Sequence, residues 1–362
     1  MKVSILGGGQ LARMLALAGH PMGLDFLFLD PSADACAAAV GKHLQGAYDD
    51  SELLKQMAKQ AGVVTFEFEN VPATSIERLA ANAPTYPPAR ALSVAQDRLK
   101  EKNLLRELKI PVPQFAAVNS LAELEAAVTS MGLPAVLKTR TQGYDGKGQA
   151  VLRQPEDTER AWQKLQGAPA LLEAFVPFER ELSIIAARSC QGDMVFYPVS
   201  ENTHHEGILH FSVSRPDDHM QQQAEAFSRQ VAEALDYVGV LTLELFQAGN
   251  KLLANEIAPP GTQLWPLDHR RSGNQSIRKP PASDPRSSPR GHNGGRIQRH
   301  GEFYWLHAGS ICGTVYSWGA YARLREGESS WAKSWPRDFA GNRRTAHART
   351  AWPATNDTQD RV

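Results

Sequence analysis

Cysteine is scarce: three in 362 residues, at Cys36, Cys190 and Cys312. Their wide separation supplies neither a disulfide framework nor the paired spacing of a zinc site, so they are read as reduced, buried thiols. No apolar run approaches the roughly 20 residues that cross a bilayer. The amino terminus enters a strand in place of a signal peptide, and a cytoplasmic protein with no membrane partner is expected. Net charge is missing as well, since 39 basic and 39 acidic side chains cancel. Evenly spread, such charges argue against a nucleic-acid or membrane-surface binder. They are not evenly spread. Beyond Pro259 sixteen basic side chains face eight acidic ones, a net +8, so the first 259 residues carry −8. Six of the seven Trp also lie beyond Pro259, and the apolar periodicity of packed elements runs up to that point and stops. The neutral total joins two unlike polypeptides.

What is present before Pro259 reads as an α/β protein. Lys2–Leu6 forms a strand, Gly7-Gly8-Gly9 a turn and 10–15 the opening of a helix, followed by a strand over 24–29 that ends at Asp30. This is a βαβ start. Residues 63–69 alternate at period two, and Pro87-Pro88 closes the first unit. One helical pattern then runs from Ala89 through Leu104 and breaks before Pro111 and Pro113. A second region carries a helix over Leu121–Met131, strands over 134–138, 150–152, 170–175, 181–187 and 194–199, and a helix over 221–235. Strands over 238–246 and 251–257 follow, joined by Ala248-Gly249-Asn250, a hairpin signal.

Three constellations carry chemistry. Gly7-Gly8-Gly9-Gln10-Leu11-Ala12 has the G-x-G-x-x-A form of a dinucleotide fingerprint, with Asp30 where a ribose-binding acid would lie. The same glycines and helix terminus suit any phosphate, or merely a tight turn. Between two strands, Gly143-Tyr144-Asp145-Gly146-Lys147-Gly148-Gln149 places amides and Lys147 where they could fold over a polyphosphate, with Lys138 at the end of the first strand. It is not a Walker A loop, which opens a helix with Gly-Lys-Ser/Thr; a surface hairpin is the alternative. Glu244 and Glu256 fall almost opposite one another across the hairpin, with Leu241, Leu243 and Leu245 on the other face. Facing carboxylates repel unless a cation lies between them, and Mg²⁺ prefers carboxylate and phosphate oxygens; an exposed polar face is the simpler alternative. His204 is either a nucleotide contact or a hydrogen-bonded loop histidine. Glu173 and Glu181 suit an adenine or ribose clamp and a solvated edge equally.

Taken in order, Gly7–Met14, Thr65–Val71, Asp97-Arg98, Lys138, the 143–149 loop, Glu201-Asn202-Thr203-His204 and Asn255–Pro259 resemble the ATP-grasp ligases. More narrowly, they resemble the 5-(carboxyamino)imidazole ribonucleotide synthases of bacterial purine synthesis. The resemblance covers about the first 259 residues. It implies a Rossmann-like pre-ATP-grasp α/β domain over 1–100 and an ATP-grasp domain over 101–259. It implies ATP contacts at Arg98, Lys138, Gly143, Tyr144, Asp145, Gly146, Lys147, Gly148, Gln149, Glu173, Ala174, Phe175, Val176, Glu181, His204, Asn255 and Glu256. Mg²⁺, or Mn²⁺, would sit at Glu244 and Glu256. Gln10, Leu11, Tyr144 and Asp145 would face the ribonucleotide, and Lys138, Lys147, Glu244 and Glu256 would carry catalysis. In the implied reaction ATP phosphorylates bicarbonate to carboxyphosphate, and the amine of aminoimidazole ribonucleotide captures the carboxyl group. A homodimer acting on small molecules is implied, not a nucleic-acid binder. Another ATP-grasp ligase or a formate-dependent transformylase is the near alternative; an NAD-dependent dehydrogenase rests on the first turn alone.

The resemblance breaks after Ala258-Pro259. Family members continue Arg-x-His-Asn-Ser-Gly-His-Trp-Thr, whereas this chain continues Pro260-Gly261-Thr262-Gln263-Leu264-Trp265. Reading the possible codons one base later admits Arg-Val-His-Asn-Ser-Gly-His-Trp-Thr. The same offset over 331–341 admits the family's Arg-Lys-x-Gly-His segment. One extra base near codon 260 accounts for both, so residues 260–362 are expected to be out-of-frame translation. Arg- and Pro-rich sequence with few aliphatics is a poor core former, and a poorly structured tail is expected.

Overall fold

The computed structural model describes residues 1–141, 143, 148–205 and 208–258. Short apolar runs build its first sheet. β1 (Lys2–Leu6), β2 (Asp25–Asp30), β3 (Lys42–Gln45) and β4 (Val63–Phe66) pair in parallel in the order β3-β2-β1-β4. Because a parallel sheet is covered on both faces, successive residues of its central strands are mostly apolar, with Ser4 of β1 a buried exception. Val3 and Ile5 pack with Ala12 and Ala16 of α1 (Gln10–Gly19). Leu6, Leu27 and Leu29 pack on the other face with Leu54 and Met57 of α2 (Ser51–Gln60) and with Ile76 and Leu79 of α3 (Ala73–Ala80).

The strand expected over 63–69 ends at Phe66, and the helix expected from Ala89 through Leu104 is two, α4 (Ala89–Ala95) and α5 (Arg98–Glu107). Asp97 causes the break. Its carboxylate accepts from Leu99 N and caps α5, and it also pairs with Arg140. α5 runs continuously across residues 100 and 101.

The second sheet, antiparallel, holds β5 (Phe115–Val118), β6 (Ala135–Thr139), β7 (Gln149–Leu152) and β8 (Ala170–Ala174) in the order β5-β8-β6-β7. Its apolar face packs on α6 (Leu121–Met131) and α7 (Asp157–Lys164) through Leu124, Val128, Leu137, Ala161 and Leu172. The third sheet runs β12-β11-β9-β13-β14, with β10 (Met194–Phe196) pairing with part of β9 (Arg180–Arg188). Its other strands are β11 (Ser200–His205), β12 (Ile208–Ser214), β13 (Gly239–Ala248) and β14 (Lys251–Ala258). One face buries Leu182, Ile184, Leu241, Leu243 and Leu245 against Ala224 and Val231 of α8 (Gln221–Ala234). The other face carries Glu181, Ser183, Thr242 and Glu244, with Ile185 and Val240 at its far end.

Cys36 carries a free thiol and is half-buried. Cys190 Sγ lies 3.4 Å from Gln191 Oε1. Cys312 and the whole 260–362 segment lie outside the described residues. No helix among the described residues is long and apolar enough to cross a membrane.

Candidate functional site

The first glycine turn is an anion site that the chain fills itself. Glu67, one residue past β4, turns its carboxylate onto the amino terminus of α1, accepting from Gly9 N at 2.6 Å and Leu11 N at 3.1 Å. Asp30 accepts from Gly8 N and from the Tyr48 hydroxyl, both at 2.8 Å, and is buried. The fit is close: a Cβ on Gly9 would come within 2.4 Å of Glu67 Oε1, and one on Gly7, whose φ is +107°, within 2.7 Å of Glu67. Burial pushes the Glu67 carboxyl above its ordinary pKa, against the pull of the amides it accepts from. Amides that would bind a pyrophosphate in a dinucleotide enzyme are thus occupied by side-chain carboxylates, and Asp30 is not free to hold a ribose. The dehydrogenase alternative is corrected on this geometry. Gln10 is exposed beside the turn and Leu11 is half-buried.

On the third sheet the two hairpin carboxylates do meet. The turn at Gly249-Asn250 pairs Ala248 with Lys251 and, counted regularly, would set Glu244 opposite Asn255. A bulge between Glu244 and Leu245 takes up Asn255 as an extra residue and brings Glu256 opposite Glu244. Ser183 lies opposite Glu244 on the neighbouring strand, so the polar face continues across β9. Asn202 donates to Ser183 Oγ at 3.2 Å and accepts from Ser212 Oγ at 2.8 Å, which holds β9, β11 and β12 together on that face. Further along it, His204 pairs with Glu181. Among the described residues no donor hydrogen-bonds the Glu244 carboxylate. Burial and the Glu256 charge push its pKa well upward. For Glu256 burial acts the same way, but Arg98, with Nη1 2.7 Å from Oε2, outweighs it and lowers the pKa.

Where the second and third sheets meet, cations and carboxylates alternate. Lys138 on β6 reaches Glu173 Oε2 on β8 at 2.9 Å and Asn255 Oδ1 at 3.4 Å. Glu173 is 3% exposed, not a solvated edge. Its other oxygen lies 3.4 Å from the ammonium of Lys102, without hydrogen-bond geometry. Burial would raise the Glu173 pKa; Lys138 and Lys102 bring it down to about 2. Two residues absent from the sequence reading, Glu101 and Lys102, are nearly inaccessible on α5, at 2% and 1% exposure. Glu101 accepts from Ile257 N, and burial beside Glu256 raises its pKa to about 8. Lys102, whose pKa burial lowers, donates to the Asn255 carbonyl at 2.7 Å.

The glycine loop is anchored at both ends. Arg98 Nη2 lies 3.4 Å from the Gly143 carbonyl. Gly148, at φ +73°, passes so close to Thr139 that a Cβ would meet Oγ1 at 2.6 Å, and Gln149 opens β7 opposite Lys138. Tyr144, Asp145, Gly146 and Lys147 lie outside the described residues. Ala174, Phe175 and Val176 continue from β8; Phe175 N donates to Pro134 O at 3.2 Å, and its ring is exposed. The structure therefore gathers Arg98, Lys138, Glu173, Asn255 and Glu256 into one contact chain, with Glu244, Glu181 and His204 on the same polar face. Among the described residues no hydrogen bond or ion pair joins Gln10 or Leu11 to it.

This arrangement suits an anionic ligand that brings its own cation, because two cationic side chains lie beside two facing carboxylates. Among the described residues no three His, Cys, Asp or Glu side chains are grouped to hold a metal. A divalent ion at Glu244 and Glu256 would therefore complete its shell from phosphate oxygens and water, which is how Mg²⁺ is commonly bound.

Comparison with known proteins agrees. The ribonucleotide synthetase preATP-grasp domain family matches residues 1–96 and the ATP-grasp domain family residues 103–261. N5-carboxyaminoimidazole ribonucleotide synthase of Pseudomonas aeruginosa is 52% identical over 259 residues, 72% of each chain. The crystal structure of the Thermus thermophilus synthetase superposes with a TM-score of 0.66 at 48% identity, covering 71% of each chain. The synthase of Aspergillus clavatus, solved with ADP and 5-aminoimidazole ribonucleotide, superposes with a TM-score of 0.65 at 27% identity, over 71% of this chain and 69% of that one. The chain belongs to the N5-carboxyaminoimidazole ribonucleotide synthases, within the ATP-grasp ligases.

Proposed function

We propose that the chain is built to carboxylate the exocyclic amine of 5-aminoimidazole ribonucleotide at the expense of ATP, with bicarbonate as the carbon source, in purine synthesis. One observation carries the reading: Lys138, Asn255 and the Glu244–Glu256 pair converge, with Lys138 3.4 Å from Asn255 and Glu256 next to it. Phosphoryl transfer to bicarbonate is mostly a matter of neutralising charge on the γ-phosphate and keeping donor and acceptor in line. Lys138 and Arg98 bind phosphate oxygens from two sides. Glu173 keeps Lys138 charged and aimed, while its neighbours Ala174, Phe175 and Val176, with Glu181 and His204, hold the nucleoside end. Mg²⁺ held by Glu244 and Glu256 would supply further charge neutralisation at the phosphates. The loop from Gly143 through Tyr144, Asp145, Gly146, Lys147 and Gly148 to Gln149 covers the polyphosphate and keeps water from carboxyphosphate. The ribonucleotide lies against Gln10, Leu11, Tyr144 and Asp145. A cytoplasmic homodimer, with the pre-ATP-grasp domain over 1–100 and the ATP-grasp domain over 101–259, goes with this reading.

Residues 260–362 belong to a shifted reading frame. In support, the P. aeruginosa relative and this chain share 72% of each length and leave the rest unaligned. The change of charge at Pro259 and the recovered Arg-x-His-Asn-Ser-Gly-His motif point the same way. The lost Arg and Arg-Lys-x-Gly-His residues would have bound anionic groups, for which fork-shaped Arg is suited. The chain as written then retains ATP binding and has little synthase activity. ADP formation dependent on aminoimidazole ribonucleotide, assayed on this chain and on one with the frame restored, separates the two ideas. Activity only after restoration is expected. Near-normal activity of the unrestored chain would refute the frame reading, and inactivity of the restored chain would refute the ligase reading. Resequencing the gene around codon 260 tests the frame directly.

A further inference from the structure

β14 is the last strand of its sheet among the described residues, and an edge strand leaves every second amide and carbonyl without a ladder partner. Here helix α5 stands in for the missing strand. Its Lys102 donates to the carbonyls of Asn255 at 2.7 Å and Ala254 at 3.4 Å, and its Glu101 accepts from Ile257 N. Those three backbone groups bracket the bulge that turns Glu256 to face Glu244. Without the bulge Asn255 would take that place, and one carboxylate of the pair would point elsewhere.

A buried ammonium is an expensive way to satisfy a carbonyl. Lys102, however, serves two elements at once, because its ammonium also lies 3.4 Å from Glu173, the counter-ion of Lys138. It thus links β8, which carries the counter-ion of Lys138, to β14, which carries Glu256. Among the described residues no other side chain both donates to the bulge carbonyl and forms an ion pair with Glu173.

We infer that Lys102 is a positioning residue, which locks the Asn255 bulge and thereby sets the placement of Glu256 relative to Lys138. It touches neither ATP nor metal in this role; it acts through the groups that do. The inference rests on the ATP-ligase reading and deepens it. Outer-shell partners of this kind typically change metal affinity by roughly 10–100-fold when removed.

The test uses the full chain with Lys102→Met and Lys102→Arg, reading ATP affinity by calorimetry and Mn²⁺ affinity of the ATP-loaded chain by electron paramagnetic resonance. Lys102→Met is expected to fold and to bind Mn²⁺ about tenfold more weakly. Amide exchange over 254–258 should also quicken in the nucleotide-free chain. Lys102→Arg retains a charged donor and is expected to stay within about threefold of wild type, a rescue that loss of general packing would not give. Should the Met variant not fold, the Arg variant alone decides, since a tenfold loss there overturns the inference. Mn²⁺ and ATP affinities of a folded Lys102→Met within twofold of wild type overturn it as well. A wild-type chain that binds no ATP overturns the ligase reading and the inference with it.

Discussion

Replacing Glu173 by Gln removes the charge that two lysines share in a site only 3% exposed. The magnitude follows from the structure. Burial opposes ionisation, yet Lys138 at 2.9 Å and Lys102 at 3.4 Å bring the carboxyl from an ordinary 4.5 to about 2. At ~1.4 kcal/mol per pH unit, that difference makes the ionised form worth about 3 kcal/mol to the fold. Removing one partner of a buried ion pair costs about 3–5 kcal/mol, so the two routes agree. Because the folded-state pKa lies below the unfolded one, the contribution is fully present above about pH 5 and is lost as the pH falls through about 2. Urea unfolding of wild type and Glu173→Gln, followed by circular dichroism from pH 7 downward, should show a gap of about 3 kcal/mol that is flat to about pH 5 and then closes. A gap under about 1 kcal/mol at neutral pH, or one that widens on acidification, would show that the lysines are not held by this carboxylate.

Three other outcomes are expected. Glu67→Ala strips the acceptor from Gly9 N and Leu11 N, at about 1–3 kcal/mol for each amide left unpaired; calorimetry should show the N-terminal domain melting several degrees lower, and an unchanged melting temperature would contradict the role given to Glu67. Gly9→Ala puts a Cβ 2.4 Å from Glu67 Oε1; it should destabilise alone but cost less in the Glu67→Ala background, a coupling that a double-mutant cycle measures. Asp97→Ala loses the α5 cap and the pairing with Arg140, about 1–2 kcal/mol by chemical denaturation. Arg140 keeps the Asp97 carboxyl below its ordinary 3.8 although burial would raise it, so this loss should be seen at neutral pH and fade in acid.

Much of the site could be read along the chain where its cause is local. The two-residue turn and strand alternation bring Glu244 and Glu256 to within one residue of facing each other, and Leu241, Leu243 and Leu245 take the opposite face as alternation requires. The bulge at Asn255 could not be read, since an extra residue in one strand leaves no mark on the apolar pattern. The split between α4 and α5 was masked for a similar reason. Leu92, Leu99 and Leu104 keep a helical spacing through Asp97, while the tertiary partner that makes Asp97 a cap, Arg140, lies 43 residues on. Glu101 and Lys102 carried one signal that was missed: they fall on the inward stripe of α5 beside Leu104 and Leu105, where charges are rare unless paired. Their partners, Ile257 and Asn255, are more than 150 residues away. Glu67 looked like one more alternating strand position, and only the parallel pairing of β1 with β4 brings it to the glycine turn.

That carboxylate has a consequence for how the first domain relates to solution. A phosphate arriving from outside must compete with an anion tethered to the same fold, present at an effective concentration on the order of millimolar or above and never diluted. The Gly9 and Leu11 amides are therefore occupied at every metabolite level. What in a dinucleotide enzyme is a docking point works here as a permanent latch between β4 and α1. Restoring it to a docking point would take the removal of side-chain carboxylates, Glu67 first, not the addition of any group.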